Sequence, residues 1–141
     1  MLSTFFLFSC STDDGMESTI VDLQFSSQKW QLVRMTGSFA GSVSEGENME
    51  WQEFYIFDPD GTFLKSRDRD GITTEATGTF EAVEYENDDH DYLELTYKTS
   101  ELIGNCSGNN KEILIYRSSR RLSNTWQACD GPGLDYTLTE D

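Results

Sequence analysis

The residues in this chain with the best claim on chemistry are acids grouped around a single histidine. His90 follows Asp88 and Asp89 and precedes Asp91. A histidine-assisted serine or cysteine nucleophile would have to use it, and a general base needs a partner within hydrogen-bond reach and shelter from water. A run of acids with turn composition offers neither, so no catalytic triad is expected. The same cluster could hold a divalent cation, as could Asp58 with Asp60 or Asp68 with Asp70. Asp and Gly are also what hairpin turns require. A calcium loop needs oxygens at alternate positions and a distal glutamate, whereas Gly61 is followed by Thr-Phe-Leu, so no metal and no cofactor is expected. Glu53, Glu81 and Glu94 fall on strand-like runs, and spacing alone does not show whether any two converge as the carboxylate pair of a glycoside hydrolase. Trp30, Trp51 and Trp126 could stack on a sugar, line a cavity or fill a core. Gly131-Pro132-Gly133 leads into a strand, which excludes a phosphate loop at a helix start.

The elements that must position these residues are short aromatic and β-branched runs closed by turn residues. The clearest is a hairpin over 53–57 and 62–67 around Asp58-Pro59-Asp60-Gly61, in which Pro59 sets the first corner and Gly61 supplies a positive φ. Asp70-Gly71 repeats the signal at meander spacing. Further strands are predicted over 29–36, 74–84, 92–98, 111–117, 121–127 and 134–139, making eight. The segment 37–48 is small and polar and reads as a loop. Trp30, Leu32 and Arg34 share one face of the first strand, Gly78 and Phe80 one face of the fourth, and Leu93, Leu95 and Tyr97 point inward on the fifth. In the central hairpin Tyr55 and Phe57 compete with Phe54 and Ile56 for the inner face.

Eight short strands with no crossover helix imply neighbour-to-neighbour antiparallel pairing, and closure removes the two open edges. The expected fold is all-β, an eight-stranded antiparallel up-and-down barrel, with a β-sandwich as the alternative. At eight strands the interior is either filled or holds one small ligand. A narrow hollow is expected, lined by Phe80, Leu93, Leu95, Tyr97, Ile113, Ile115, Trp126 and Tyr136.

The 141 residues suit one domain, and aromatics at 13% without helical runs favour all-β. Ten basic against 26 acidic side chains give a net charge of -16, which would repel nucleic acid. Residues 1–10 are uncharged and end in Leu7-Phe8-Ser9-Cys10, which resembles the lipobox of a bacterial lipoprotein signal, with Cys10 as the lipidated residue. A complete signal also needs a basic start and a longer apolar run, so either Met1 is a downstream methionine or the true gene start lies further upstream. Residues 11–27 read as a tether, with one or two helical turns near 21–25 able to close one end of the fold. Asp13 and Asp14 resemble the acidic export signal of surface lipoproteins of the Bacteroidota.

Over residues 28–141 the order Lys29-Trp30-Gln31-Leu32, Phe57 to Phe63, Gly78-Thr79-Phe80 and Asp130 to Tyr136 resembles the lipocalin-like outer-membrane lipoproteins of the Bacteroidota. It departs from true lipocalins at Gln28, where they carry the glycine of Gly-x-Trp, and in lacking a last-strand arginine that packs on that tryptophan. The resemblance implies a calycin-like barrel and a small apolar ligand, with no established activity.

Lipidation of Cys10 would leave Cys106 and Cys129 as a pair in an oxidising compartment. If Ser118-Ser119 turns the hairpin between the sixth and seventh strands, the two cysteines lie nearly opposite at its open end, within the ~4.4–6.8 Å Cα separation a disulfide needs. The expected protein is a monomeric, non-enzymatic binding module at the outer membrane, held there only by its N-terminal lipid. Three functions follow from three features: a carrier of a small apolar molecule needs a hollow interior, an adaptor lipoprotein of a cell-envelope complex needs an exposed apolar patch, and a glycan-directed hydrolase needs paired acids in a cleft.

Overall fold

The computed structural model describes residues 15–37, 42–86, 88–106, 108–129 and 131–139. Helix α1 (Gly15–Asp22) leads into strands β1 (Gln28–Thr36), β2 (Val43–Glu45), β3 (Gln52–Phe57), β4 (Thr62–Arg69), β5 (Ile72–Glu84), β6 (Asp91–Tyr97), β7 (Lys111–Ser118), β8 (Arg121–Asn124) and β9 (Gly133–Leu138). Strand β1 pairs with β3 on one side, each later strand pairs antiparallel with the next, and β9 returns to β1. Eight strands therefore close into an up-and-down barrel, and the sandwich alternative falls because no open edge is left in the ring. Strand β2 is additional and lies within the segment predicted as loop; it pairs with the end of β1, matching Thr36 with Val43 and Arg34 with Glu45.

The predicted turn chemistry is visible at β3–β4. Gly61 has φ 90°, and its N–H donates to the Asp58 carbonyl at 3.0 Å. The resulting register sets Phe57 opposite Phe63 and Tyr55 opposite Lys65. The open parity of this hairpin resolves in favour of Glu53, Tyr55 and Phe57, which are buried, while Phe54 and Ile56 are half-buried on the other face. On β1 the face shared by Trp30 and Leu32 does not continue to Arg34. A bulge against β9 falls between Leu32 and Arg34, and the extra residue shifts the alternation so that Met35 goes inward and Arg34 outward.

Two further expectations are corrected. The strand predicted over 121–127 ends at Asn124, and Trp126–Cys129 form a 3₁₀ turn. The stretch read as a tether is helical from Gly15 and docks across one end of the barrel. Leu23 is buried there, and Thr19 donates its hydroxyl to the Ser119 carbonyl at 2.9 Å. Gln28, at the departure from the lipocalin pattern, has its own task. Its amide donates to the Thr19 carbonyl at 3.0 Å and accepts from the Trp30 indole at 3.2 Å, tying α1 to the core tryptophan.

Close packing sets one requirement for glycine in the wall. A Cβ at Gly78 would lie 1.9 Å from the Thr96 carbonyl oxygen and 2.8 Å from Phe63 Cε1. Neither the paired strand nor the core ring has room to retreat, so Gly78→Ala is expected to cost on the order of 1–3 kcal/mol, read as a lowered urea midpoint in equilibrium unfolding.

Candidate functional site

The inward-facing side chains divide the barrel into two levels. Toward α1 the interior is apolar: Trp30 meets Tyr116 edge-on at 5.9 Å, and Phe57 meets Phe80 at 4.9 Å. Toward the other mouth three strands each place one charged residue inward, at a position two residues from an inward-facing aromatic or aliphatic one. These are Glu53 on β3, Lys65 on β4 and Glu112 on β7, each with no more than 1% of its surface exposed. Period-two alternation makes this unavoidable once Tyr55, Phe63 and Leu114 point inward.

The three charges form one network with three tyrosines. Lys65 Nζ lies 3.8 Å from Glu53 Oε2 and 3.4 Å from Glu112 Oε1, and it donates to the Leu102 carbonyl at 2.6 Å. Glu112 Oε1 accepts from the Tyr55 hydroxyl at 2.9 Å and also from the Tyr97 hydroxyl. Glu53 Oε1 accepts from Arg67 Nε at 2.7 Å and from the Trp51 indole at 2.9 Å, while Oε2 accepts from the Tyr136 hydroxyl. Arg67 in turn lies over the Trp51 ring at 4.2 Å. Formally, two carboxylates face two cations. Among the described residues the one buried side-chain polar atom without a partner is the Tyr116 hydroxyl, outside this network.

Burial by itself would raise the Glu53 carboxyl, but the Lys65 and Arg67 charges, with the Tyr136 and Arg67 hydrogen bonds, outweigh it and hold the group below its ordinary value of 4.5. The phenols of Tyr55, Tyr97 and Tyr136 move the other way, above the usual 10.0, because burial and then a neighbouring carboxylate oppose a phenolate. The two directions bound a stability window. A depressed carboxyl contributes stability that is present above the unfolded-state value and lost as pH falls through the folded one. A raised phenol favours the folded state below its unfolded value, and that preference is lost as pH climbs beyond it. Unfolding free energy is therefore expected to fall below about pH 4.5 and again above about pH 10, the ordinary values of these groups, in a urea-denaturation series across pH.

This cluster lies under a closed mouth. Cys106 and Cys129 form a disulfide with Cα atoms 5.7 Å apart, joining the β6–β7 connection to the 3₁₀ turn after β8. Trp126, on that turn, lies against both connections: a Cβ at Gly104 would come within 2.7 Å of its ring and one at Gly131 within 2.4 Å. Leu102, whose carbonyl Lys65 holds, has φ 67°, a left-handed conformation rare for a leucine. The bridge, the stacked indole and the lysine contact hold the connection down over Glu112.

No family model, curated protein or solved structure matches this chain. Its site is therefore read from its own geometry.

Of the predicted lining residues, Phe80, Leu93, Leu95, Tyr97 and Tyr136 do face inward. Ile113 and Ile115 do not, because β7 has the opposite parity: Glu112, Leu114 and Tyr116 take the inside. Trp126 is not a wall residue and helps cap the mouth. The expected hollow is not present at these levels, since Trp30, Tyr55, Phe57, Leu95, Leu114 and Tyr136 have no accessible surface. Of the candidate acids, Glu53 is interior, whereas Glu81 and Glu94 are on the outer face. The partner that meets Glu53 through Lys65 is Glu112, which sequence reasoning missed. Its signal was its position two before Leu114 and four before Tyr116.

The acidic turns have local roles. Asp88 accepts from the Tyr92 hydroxyl at 2.6 Å and from the His90 backbone N–H at 2.9 Å, which lowers its carboxyl to about 2. Asp60 accepts from the backbone N–H and hydroxyl of Thr62. Among the described residues no three His, Cys, Asp or Glu side chains are grouped to hold a metal. Cys10 lies outside the described residues.

Proposed function

We propose that this protein is a lipid-anchored, non-enzymatic interaction module of the cell envelope, an adaptor lipoprotein of lipocalin-like form that works through its outer surface. The observation that carries this reading is the filled interior, from Trp30 at one end to the capped ionic network at the other. A carrier needs volume, and a barrel whose central side chains have no accessible surface offers none without unpacking its core. The network also argues against the hydrolase reading. Glu53 and Glu112 converge, but both are sealed from water and engaged by cations and phenols, and the depressed Glu53 carboxyl is the opposite of a proton-donating acid.

Tryptophan fluorescence titrated with fatty acids, haem and sterols tests the first half of the proposal. No saturable response is expected, and a saturable 1:1 response with any of them would return the protein to the carrier class. The anchor is tested by fractionation: Cys10→Ala is expected to move the full-length protein from membrane to soluble fractions, and its retention in membranes would remove Cys10 from that role.

A further inference from the structure

We propose that the α1 end of the barrel is a membrane-docking face, seated through Val21 and Phe25 in the phospholipid headgroup region of the leaflet that holds the anchor. The inference rests on lipidation of Cys10, and it adds an orientation that lipidation alone does not give.

Reach is the first argument. Five residue steps separate Cys10 from Gly15, where α1 begins, and five steps extend to at most about 18 Å. Helix α1 is not itself a spacer, because Leu23 is buried in the barrel end and Thr19 is bonded to Ser119 of the β7–β8 turn. An eight-residue strand such as β4 is about 27 Å long. An anchored chain therefore keeps the α1 end near the bilayer and holds the disulfide-bridged mouth away from it.

Exposed apolar surface is the second. Around inward-facing Leu23, Val21 is 47% exposed and Phe25 76% exposed, the largest exposure of any big apolar side chain among the described residues. An aromatic ring held in water at the anchored end gains by entering the interface.

Charge does not help this contact, because Asp22 of α1 and the turns with Asp58 and Asp60 and with Glu86, Asp88 and Asp89 are all acidic at this end. Headgroup phosphates repel them, so the apolar side chains carry the docking.

The test uses the full chain purified with its lipid and reconstituted into phosphatidylethanolamine–phosphatidylglycerol vesicles whose acyl chains are brominated. Phe25→Trp is compared with Ile72→Trp, a site 67% exposed at the start of β5, at the far mouth. The emission added by Phe25→Trp is expected to be largely lost in brominated vesicles and that added by Ile72→Trp retained. If the protein cosediments with vesicles and Phe25→Trp keeps its emission, or Ile72→Trp loses it, the docking face is wrong while the anchor stands. If the protein does not cosediment and its mass shows an unmodified Cys10, the anchor reading fails and the docking face with it.

Discussion

Replacing Lys65 with methionine is expected to be the most damaging single substitution in this barrel, at about 3–5 kcal/mol. The ammonium is fully buried between Glu53 and Glu112, and both carboxylates would stay behind with no solvent to take its place. Arg67 still pairs with Glu53, so the larger share of the deficit falls on Glu112, left with the Tyr55 and Tyr97 hydroxyls. A loss of that size should lower the thermal midpoint by on the order of 10 °C or more in a domain of this length. A second substitution separates the ion pair from the other contacts of the ammonium. With Glu112→Gln added to Lys65→Met, the uncompensated charge is gone and the double variant should recover part of the loss. Equal or greater destabilisation of the double variant would mean that the ammonium acts through its place over the Tyr55 and Tyr97 rings, 5.1 and 5.8 Å from their centroids, and not through Glu112.

Loss of the Cys106–Cys129 bridge, by Ser at both positions, is expected to cost roughly 3 kcal/mol on the chain-entropy treatment of a loop of about 24 residues. The effect should be local in the native state as well as global in the unfolded one. Without the bridge, the connection over the mouth is held by the Lys65 contact to Leu102 and by Trp126 stacking. Amide exchange near 102–105 should speed up before that of β3 or β4 does. Because the bridge and Lys65 act on one segment, the two sets of substitutions should be non-additive in stability. Alkylation followed by intact mass checks the bridge itself: no alkylated Cys106 or Cys129 is expected without reductant.

Local chemistry explains which parts of this fold could be read in advance. The β3–β4 turn was legible because Pro59 and Gly61 restrict the backbone whatever surrounds them. The inward set on β6 was legible because Leu93, Leu95 and Tyr97 alternate with polar residues. The same reasoning misplaced β7, where Ile113 and Ile115 were assigned inward over Glu112, Leu114 and Tyr116. A strand with apolar residues on both faces has no unambiguous period, and a glutamate biases the choice outward unless its partners are known.

The sequence by itself determined an all-β chain, eight ring strands in meander order, the turn positions and the pairing of the two cysteines, because each depends on residues near in sequence or on a single hairpin. Only the tertiary structure decided that Glu53, Lys65 and Glu112 meet inside, that Arg34 turns out and Met35 in, and that the interior is filled. Each of these depends on barrel closure and register, which bring together residues from 12 positions apart, as for Glu53 and Lys65, to 104 apart, as for Leu32 and Tyr136. A buried lysine is tolerable only where carboxylates from other strands already wait for it, and no local pattern in the chain carries that information.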